Sequence, residues 1–221
     1  MLRFEMIQAG FRTACRKLAG QPGMLGTSVW LLAAACILFA SPAHPAIVFA
    51  HAAVAANGAS VIHSNAVTSA EGNDSDVIAY DSFLLDKPVS VASVGWRGSS
   101  SNGSSSGFTI RIYASRAVPA TRAEIAHPMA EVRVTGDAGE ISVGNKLSDY
   151  CADIATPLLL APGVQYWISV VSNRRDASAW GWANGIGGDD KSIQSWSEFK
   201  ILSAPGDRSF SLNDAHACAG K

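Results

Sequence analysis

Two tryptophans separated by one residue are the most specific chemical feature of this 221-residue chain: Trp180-Gly181-Trp182. On a strand, residues i and i+2 point the same way. An exposed pair would form a flat aromatic platform for the apolar C–H face of a sugar ring, and Trp180 and Trp182 are therefore the candidate ligand-binding residues. A buried pair would instead supply core packing, since aromatics contribute much of a domain's burial energy. Both readings stand at this level. Gly181 leaves the other side of the strand bare, as happens where another surface approaches closely.

Other chemistry-bearing residues are sparser. The acids Asp74/Asp76, Asp149/Asp153 and Asp189/Asp190 are close enough in sequence to be considered as acid–base pairs of a glycosidase. Proximity is all that recommends them, and the ordinary expectation is solvated surface acids. Outside the Gly/Ser-rich run, where Gly103-Ser-Ser-Ser-Gly107 matches by composition alone, there is no Gly-x-Ser-x-Gly elbow, and there is no His-Glu-x-x-His zinc motif. Beyond residue 63 the histidines are His127, just before Pro128, and His216 near the end. Both read as loop residues rather than general bases, so no catalytic residue is assigned. Glu71-Gly-Asn-Asp-Ser-Asp76 groups oxygen donors, which makes Asp74 and Asp76 weak candidates for a structural calcium. They lack the spacing of an EF-hand loop. No other metal and no cofactor is expected.

Cys151 and Cys218 are a candidate disulfide, because the other two cysteines, Cys15 and Cys36, lie near the start of the chain. That start reads as a leader. Residues 1–28 are basic, and the run Val29–Ala40 is apolar and uncharged before Ser41-Pro42 breaks it. A basic region, a short apolar region and small residues at a cleavage point form the secretory signal pattern. Cleavage would follow Ala43 (Ser-Pro-Ala) or Ala52 (Ala-His-Ala). The alternative is an uncleaved membrane anchor, although twelve apolar residues fall short of the ~20 that span a bilayer. Residues 1–52 carry four basic side chains against one acid, net +3. The rest carries 13 basic and 17 acidic side chains, net −4. A domain of −4 has no electrostatic reason to bind nucleic acid. The compartment expected is secreted or periplasmic, where two thiols become a disulfide.

The elements that must position these residues are strands. Phe108–Ala114 and Ala130–Val134 alternate apolar and polar residues, the period of half-buried antiparallel strands. Val164–Val171 is apolar and rich in β-branched and aromatic residues, as a central strand should be. Further strands are expected at Val77–Leu84, Val89–Trp96, Tyr150–Ile154, Ala179–Ala183, Ile193–Phe199 and Ser209–Leu212. Residues 122–129 offer at most one helical turn. About nine strands punctuated by turn residues predict an all-β, two-sheet antiparallel β-sandwich of jelly-roll-like type. The expected domain map is a leader over 1–52, a linker of small and polar residues over 53–76, the sandwich over 77–214 and a tail over 215–221. The Gly/Ser-rich stretch Gly98–Gly107 reads as a mobile loop between strands.

Several segments recur in a familiar order: Ala79-Tyr-Asp-Ser-Phe83, Val94-Gly-Trp-Arg-Gly98, Phe108–Tyr113, Ala152-Asp-Ile-Ala-Thr-Pro157, Leu160-Ala-Pro-Gly-Val-Gln-Tyr-Trp-Ile-Ser169, Trp180-Gly-Trp182 and Arg208-Ser-Phe-Ser-Leu212. Over residues 77–214 the chain resembles a bacterial extracellular β-sandwich domain family of unknown function, often found in secreted proteins with PEP-CTERM-type sorting tails. The resemblance implies a sandwich fold and an extracellular setting, and it brings no catalytic residues. Residues 213–221 lack the apolar tail and basic end of such a sorting signal. The function expected is a non-catalytic exported protein that binds a glycan or another cell-envelope component. The alternatives are a secreted polysaccharide hydrolase and a purely structural or adhesion module. Contact with a membrane is expected only through an uncleaved leader.

Overall fold

The computed structural model describes residues 45–67, 76–101, 105–115, 127–174, 179–196 and 200–218. These form fifteen strands and, among the described residues, no helix. In chain order the strands are β1 Ile47–Ala53, β2 Val61–His63, β3 Asn65–Val67, β4 Val77–Leu84, β5 Val89–Ser99, β6 Ser105–Ala114, β7 Ala130–Thr135, β8 Ile141–Gly144, β9 Leu147–Leu160, β10 Gln165–Arg174, β11 Gly181–Ile186, β12 Lys191–Trp196, β13 Lys200–Pro205, β14 Asp207–Arg208 and β15 Phe210–Asn213.

They make two packed, mostly antiparallel sheets, a β-sandwich. One runs β14-β11-β1-β15-β5-β9-β8, with β2 added at β11. The other runs β13-β12-β4-β3-β10-β6-β7, with β4 and β10 also paired directly. Among the described residues, the one parallel pair joins β3 to β10. Most connections cross from one sheet to the other, so neighbours in sequence face each other across the core.

The apolar face predicted for β6 is buried, and Thr109 and Tyr113 of its other face are buried as well. Phe108, Ile110 and Ile112 of β6 are all buried and meet the opposite sheet. The two sheets interlock through rings. Phe108 approaches Trp96 and Trp180 edge-on, with centroids 5.2 Å from each. Trp96 and Tyr150, directly opposite on β5 and β9, stack at 5.7 Å. A second cluster joins Phe49 of β1 to Phe83 of β4 and Phe210 of β15 at 5.3 and 5.7 Å. Such aromatic pairs add to the burial energy of the core when edge-on or offset.

Each of the nine expected strands has a counterpart, Val77–Leu84 with the predicted bounds, while residues 197–199 of the expected Ile193–Phe199 lie outside the described residues. The count of nine is corrected to fifteen. β1, β2, β3, β8, β13 and β14 are additional. The boundary expected at residue 52 cuts through β1, which lies inside the first sheet between β11 and β15. The expected linker over 53–76 contains β2 and β3. The Gly/Ser-rich connection is shorter than expected, because β5 continues to Ser99 and β6 begins at Ser105, and residues 102–104 lie outside the described residues. Small side chains let backbones approach here. A Cβ on Gly98 would collide with the Trp180 ring and lie 2.7 Å from the Gly181 carbonyl. The helical turn expected at 122–129 falls mostly outside the described residues, and His127–Met129 are not helical.

Candidate functional site

The strands bring together four residues that are far apart in sequence: His51 of β1, Asp81 of β4, and Asp207 and Arg208 of β14. All four are buried. Asp81 lies on the same face of β4 as Ala79 and Phe83, so it points into the core. A carboxylate there must find donors or destabilise the fold. It finds three. His51 Nδ1 lies 2.7 Å from Oδ2, the Arg208 amide donates to the same oxygen at 2.7 Å, and the Ser82 amide donates to Oδ1 at 2.9 Å.

Asp207 is satisfied by the turn between β11 and β12. The Gly188 amide donates to one oxygen at 2.7 Å and the Asp190 amide to the other at 2.8 Å. A Cβ on Gly188 would sit 2.5 Å from His51 Cε1 and 2.6 Å from Asp207 Oδ1, so only glycine lets this turn close over the pair. The Arg208 guanidinium donates to the carbonyls of Pro205 and Gly206 at 2.8 and 2.9 Å. Burial raises the Asp81 pKa, outweighing the hydrogen bond and charge of His51. Burial also lowers Arg208, against the pull of Asp81 and Asp207.

His51, Asp81 and Asp207 each offer a ligand atom within 4.8 Å of the others, the raw material of a metal centre. The donor set does not fit one. Every carboxylate oxygen already accepts an amide or imidazole hydrogen, and a buried guanidinium supplies the cationic charge. Nor can the His51–Asp81 pair act as a base, since both side chains are shut away from substrate. What the cluster does is tie β4 of one sheet to β1 and β14 of the other.

Accessible polar chemistry lies elsewhere. A cleft of about 680 Å³ opens at the end of the sandwich, lined among others by Asn57, Ser99, Ser100, Asn145, Lys146 and Leu147. The hairpin joining β8 and β9 turns on Asn145 and Lys146, whose φ angles are 50° and 59°. Two successive left-handed residues are the geometry of a type I′ turn, and they set both side chains out at the rim. Behind the wall stands Glu140. It accepts hydrogen bonds from the Ser101 amide at 3.0 Å, the Ser148 hydroxyl at 2.7 Å and the Ser101 hydroxyl. Ser148 in turn bonds the Ser100 hydroxyl at 2.9 Å. Partial burial pulls Glu140 upward, but these donors outweigh it and leave the carboxyl below its ordinary value.

The remaining sequence candidates are scattered. Trp180 and Trp182 are both 0% exposed, which corrects the platform reading: no face is free to stack on a sugar. They do point the same way, but into the core, and their Nε1 groups donate to Ser99 O at 2.7 Å and Ser209 O at 2.8 Å. Gly181 between them does mark a close approach, since a Cβ there would lie 2.6 Å from Val61 Cγ2 of β2. Cys151 and Cys218 form a disulfide with Cα atoms 5.5 Å apart, within the reach such a bond requires. Asp149 pairs with Arg97 through two bonds of 2.7 and 3.0 Å, while Asp153 accepts the tail amides of Ala217 and Cys218. Asp189 accepts the Lys191 amide. His127 is exposed, and His216 stands 3.7 Å from Asp153. Asp74 lies outside the described residues, and Asp76 stands just before β4.

Sequence alone hides the buried cluster because His51 falls within the segment 1–52 expected to be a leader, and Asp207-Arg208 follow 126 residues after Asp81. One signal was available: Asp81 occupies a core-facing position of a strand with clear alternation. No protein-family model matches the chain, and no curated protein matches it.

Proposed function

We propose that this is an exported, non-catalytic β-sandwich protein that binds a glycan or another envelope component in the cleft at Asn57, Asn145 and Lys146. The cleft carries the reading. It offers amide and hydroxyl groups together with one cation, in an open depression bordered by Val61 and Leu147. Convergent polar groups beside an apolar wall suit a polyhydroxylated ligand. Export is supported by the signal-like leader, by the resemblance to an extracellular family and by the disulfide, a bond that persists in oxidising compartments. A net charge of −4 beyond residue 52 gives nucleic acid no foothold.

A glycan-array screen of the exported protein tests this. Binding to a defined set of glycans, lost on Lys146→Ala or Asn57→Ala, supports it. A folded protein that binds nothing on the array would refute it and favour the structural or adhesion module. Release of reducing ends from a bound polysaccharide would favour the hydrolase.

A further inference from the structure

The sequence leaves two bonds open for leader removal, after Ala43 and after Ala52. We infer that the processing site is the Ala43–His44 bond; this rests on the export reading above. The case is made by β1. Ile47, Phe49, Ala50 and His51 pair with Asn213, Leu212, Ser211 and Phe210 of β15, with a register shift between Ile47 and Phe49, and the other end of β1 pairs with β11. Pairing reaches back to Ala46, whose amide donates to Asp214 Oδ1 at 2.8 Å while its carbonyl accepts the Asp214 amide at 3.1 Å.

Cleavage after Ala52 would therefore remove almost a whole internal strand. It would take away Phe49, which contacts both Phe83 and Phe210, and His51, which satisfies Asp81. The buried Asp81 carboxylate would lose its imidazole donor, and β11 and β15 would lose the strand between them. Cleavage after Ala43 removes none of this. The bond is also chemically suited to a signal protease, which selects small residues one and three positions before the cut. Ala43 and Ser41 supply them. Water adds across the amide, leaving a carboxylate on Ala43 and a new amine on His44, two residues ahead of Ala46 in the sequence.

The full chain, expressed in a bacterium with a working secretion system, should be recovered outside the cytoplasm with His44 as its first residue by intact mass and N-terminal sequencing. Ala43→Leu should retain the leader. Ala52→Leu, at an exposed position of β1, should still yield His44. An exported product beginning at Ala53, a membrane-bound product that retains Met1, or His44 still appearing in Ala43→Leu would overturn the assignment while leaving export intact. A full-length cytoplasmic product with free thiols at Cys151 and Cys218 would overturn the export reading itself.

Discussion

Asp81 and Glu140 are acids of the same domain held in opposite ways. Asp81 sits between the sheets, fully buried, with His51 and the Arg208 amide as partners. Glu140 sits half-buried behind the cleft wall, with two serine hydroxyls and an amide. For Asp81 the removal of water dominates and its pKa rises. For Glu140 the donors dominate and its pKa falls. The region richest in reactive residue types is thus closed and structural, while the region open to a ligand is lined by neutral amides and hydroxyls and one lysine. Residue chemistry alone does not locate function; access decides it.

The contrast breaks most easily in the interior. Asp81→Ala should destabilise the fold by about 3–5 kcal/mol, the range for removing one partner of a buried charged pair. Trp182→Ala should fall in a similar range, about 3–5 kcal/mol, through the cavity it leaves. Chemical denaturation of the purified protein measures both. A loss for Asp81→Ala no larger than the ~0.5 kcal/mol of an ordinary surface change would mean that the cluster is not the cross-sheet tie described above. Reduction of Cys151–Cys218 is next in expected size. With a sequence separation of 67, the chain-entropy model gives about 4 kcal/mol as a ceiling. A midpoint unchanged by reductant would show that the tail contributes nothing to holding β9.

How far the sequence could have anticipated this contrast depends on parity and distance. Strands such as Phe108–Ala114 are legible because their core face is uniformly apolar while the opposite face carries Thr109, Arg111 and Tyr113, even though Thr109 and Tyr113 are also buried. β8 and β13 are edge strands with mostly exposed side chains, so burial imposes little pattern on them. β1 merges in composition with the apolar residues before it, and β2, β3 and β14 have only two or three residues each. Asp81 could be flagged, since its neighbours at i±2 are apolar. Its partners could not, because they lie 30 and 127 residues away. The shared direction of Trp180 and Trp182 follows from their spacing. Which way that face turns depends on the sheet above it, and no local signal encodes that.

The two acids should also separate by pH. Asp81 has a raised folded pKa, so it binds its proton more readily folded than unfolded. Its contribution is fully present below the unfolded value near 3.8 and is lost as pH rises through the folded value. Glu140 runs the other way. Its contribution is present above the unfolded value near 4.5 and is lost as pH falls through the lowered folded value. Melting curves from about pH 3 to about pH 7, a range that spans both carboxylates, should therefore change slope in opposite senses for Asp81→Asn and Glu140→Gln relative to wild type. The same sense for both would undo the comparison.

The smallest effect on stability is expected at the cleft. Lys146 and Asn57 are exposed at its rim. Lys146→Ala should shift stability by no more than about 0.5 kcal/mol, as surface changes usually do. Lys146→Gly should be at least as well tolerated, because the backbone there has φ 59° and glycine adopts that region freely. Binding should respond differently. Loss of one hydrogen-bonding group from a ligand contact corresponds to about 0.5–1.5 kcal/mol, or roughly two- to tenfold in Kd. Titration of a glycan hit with wild type, Lys146→Ala and Asn57→Ala therefore separates the two regions: weaker binding at unchanged melting temperature. Equal affinity in all three proteins would move the ligand off this cleft. A fall in melting temperature of several degrees would mean that the rim, like the interior, is structural.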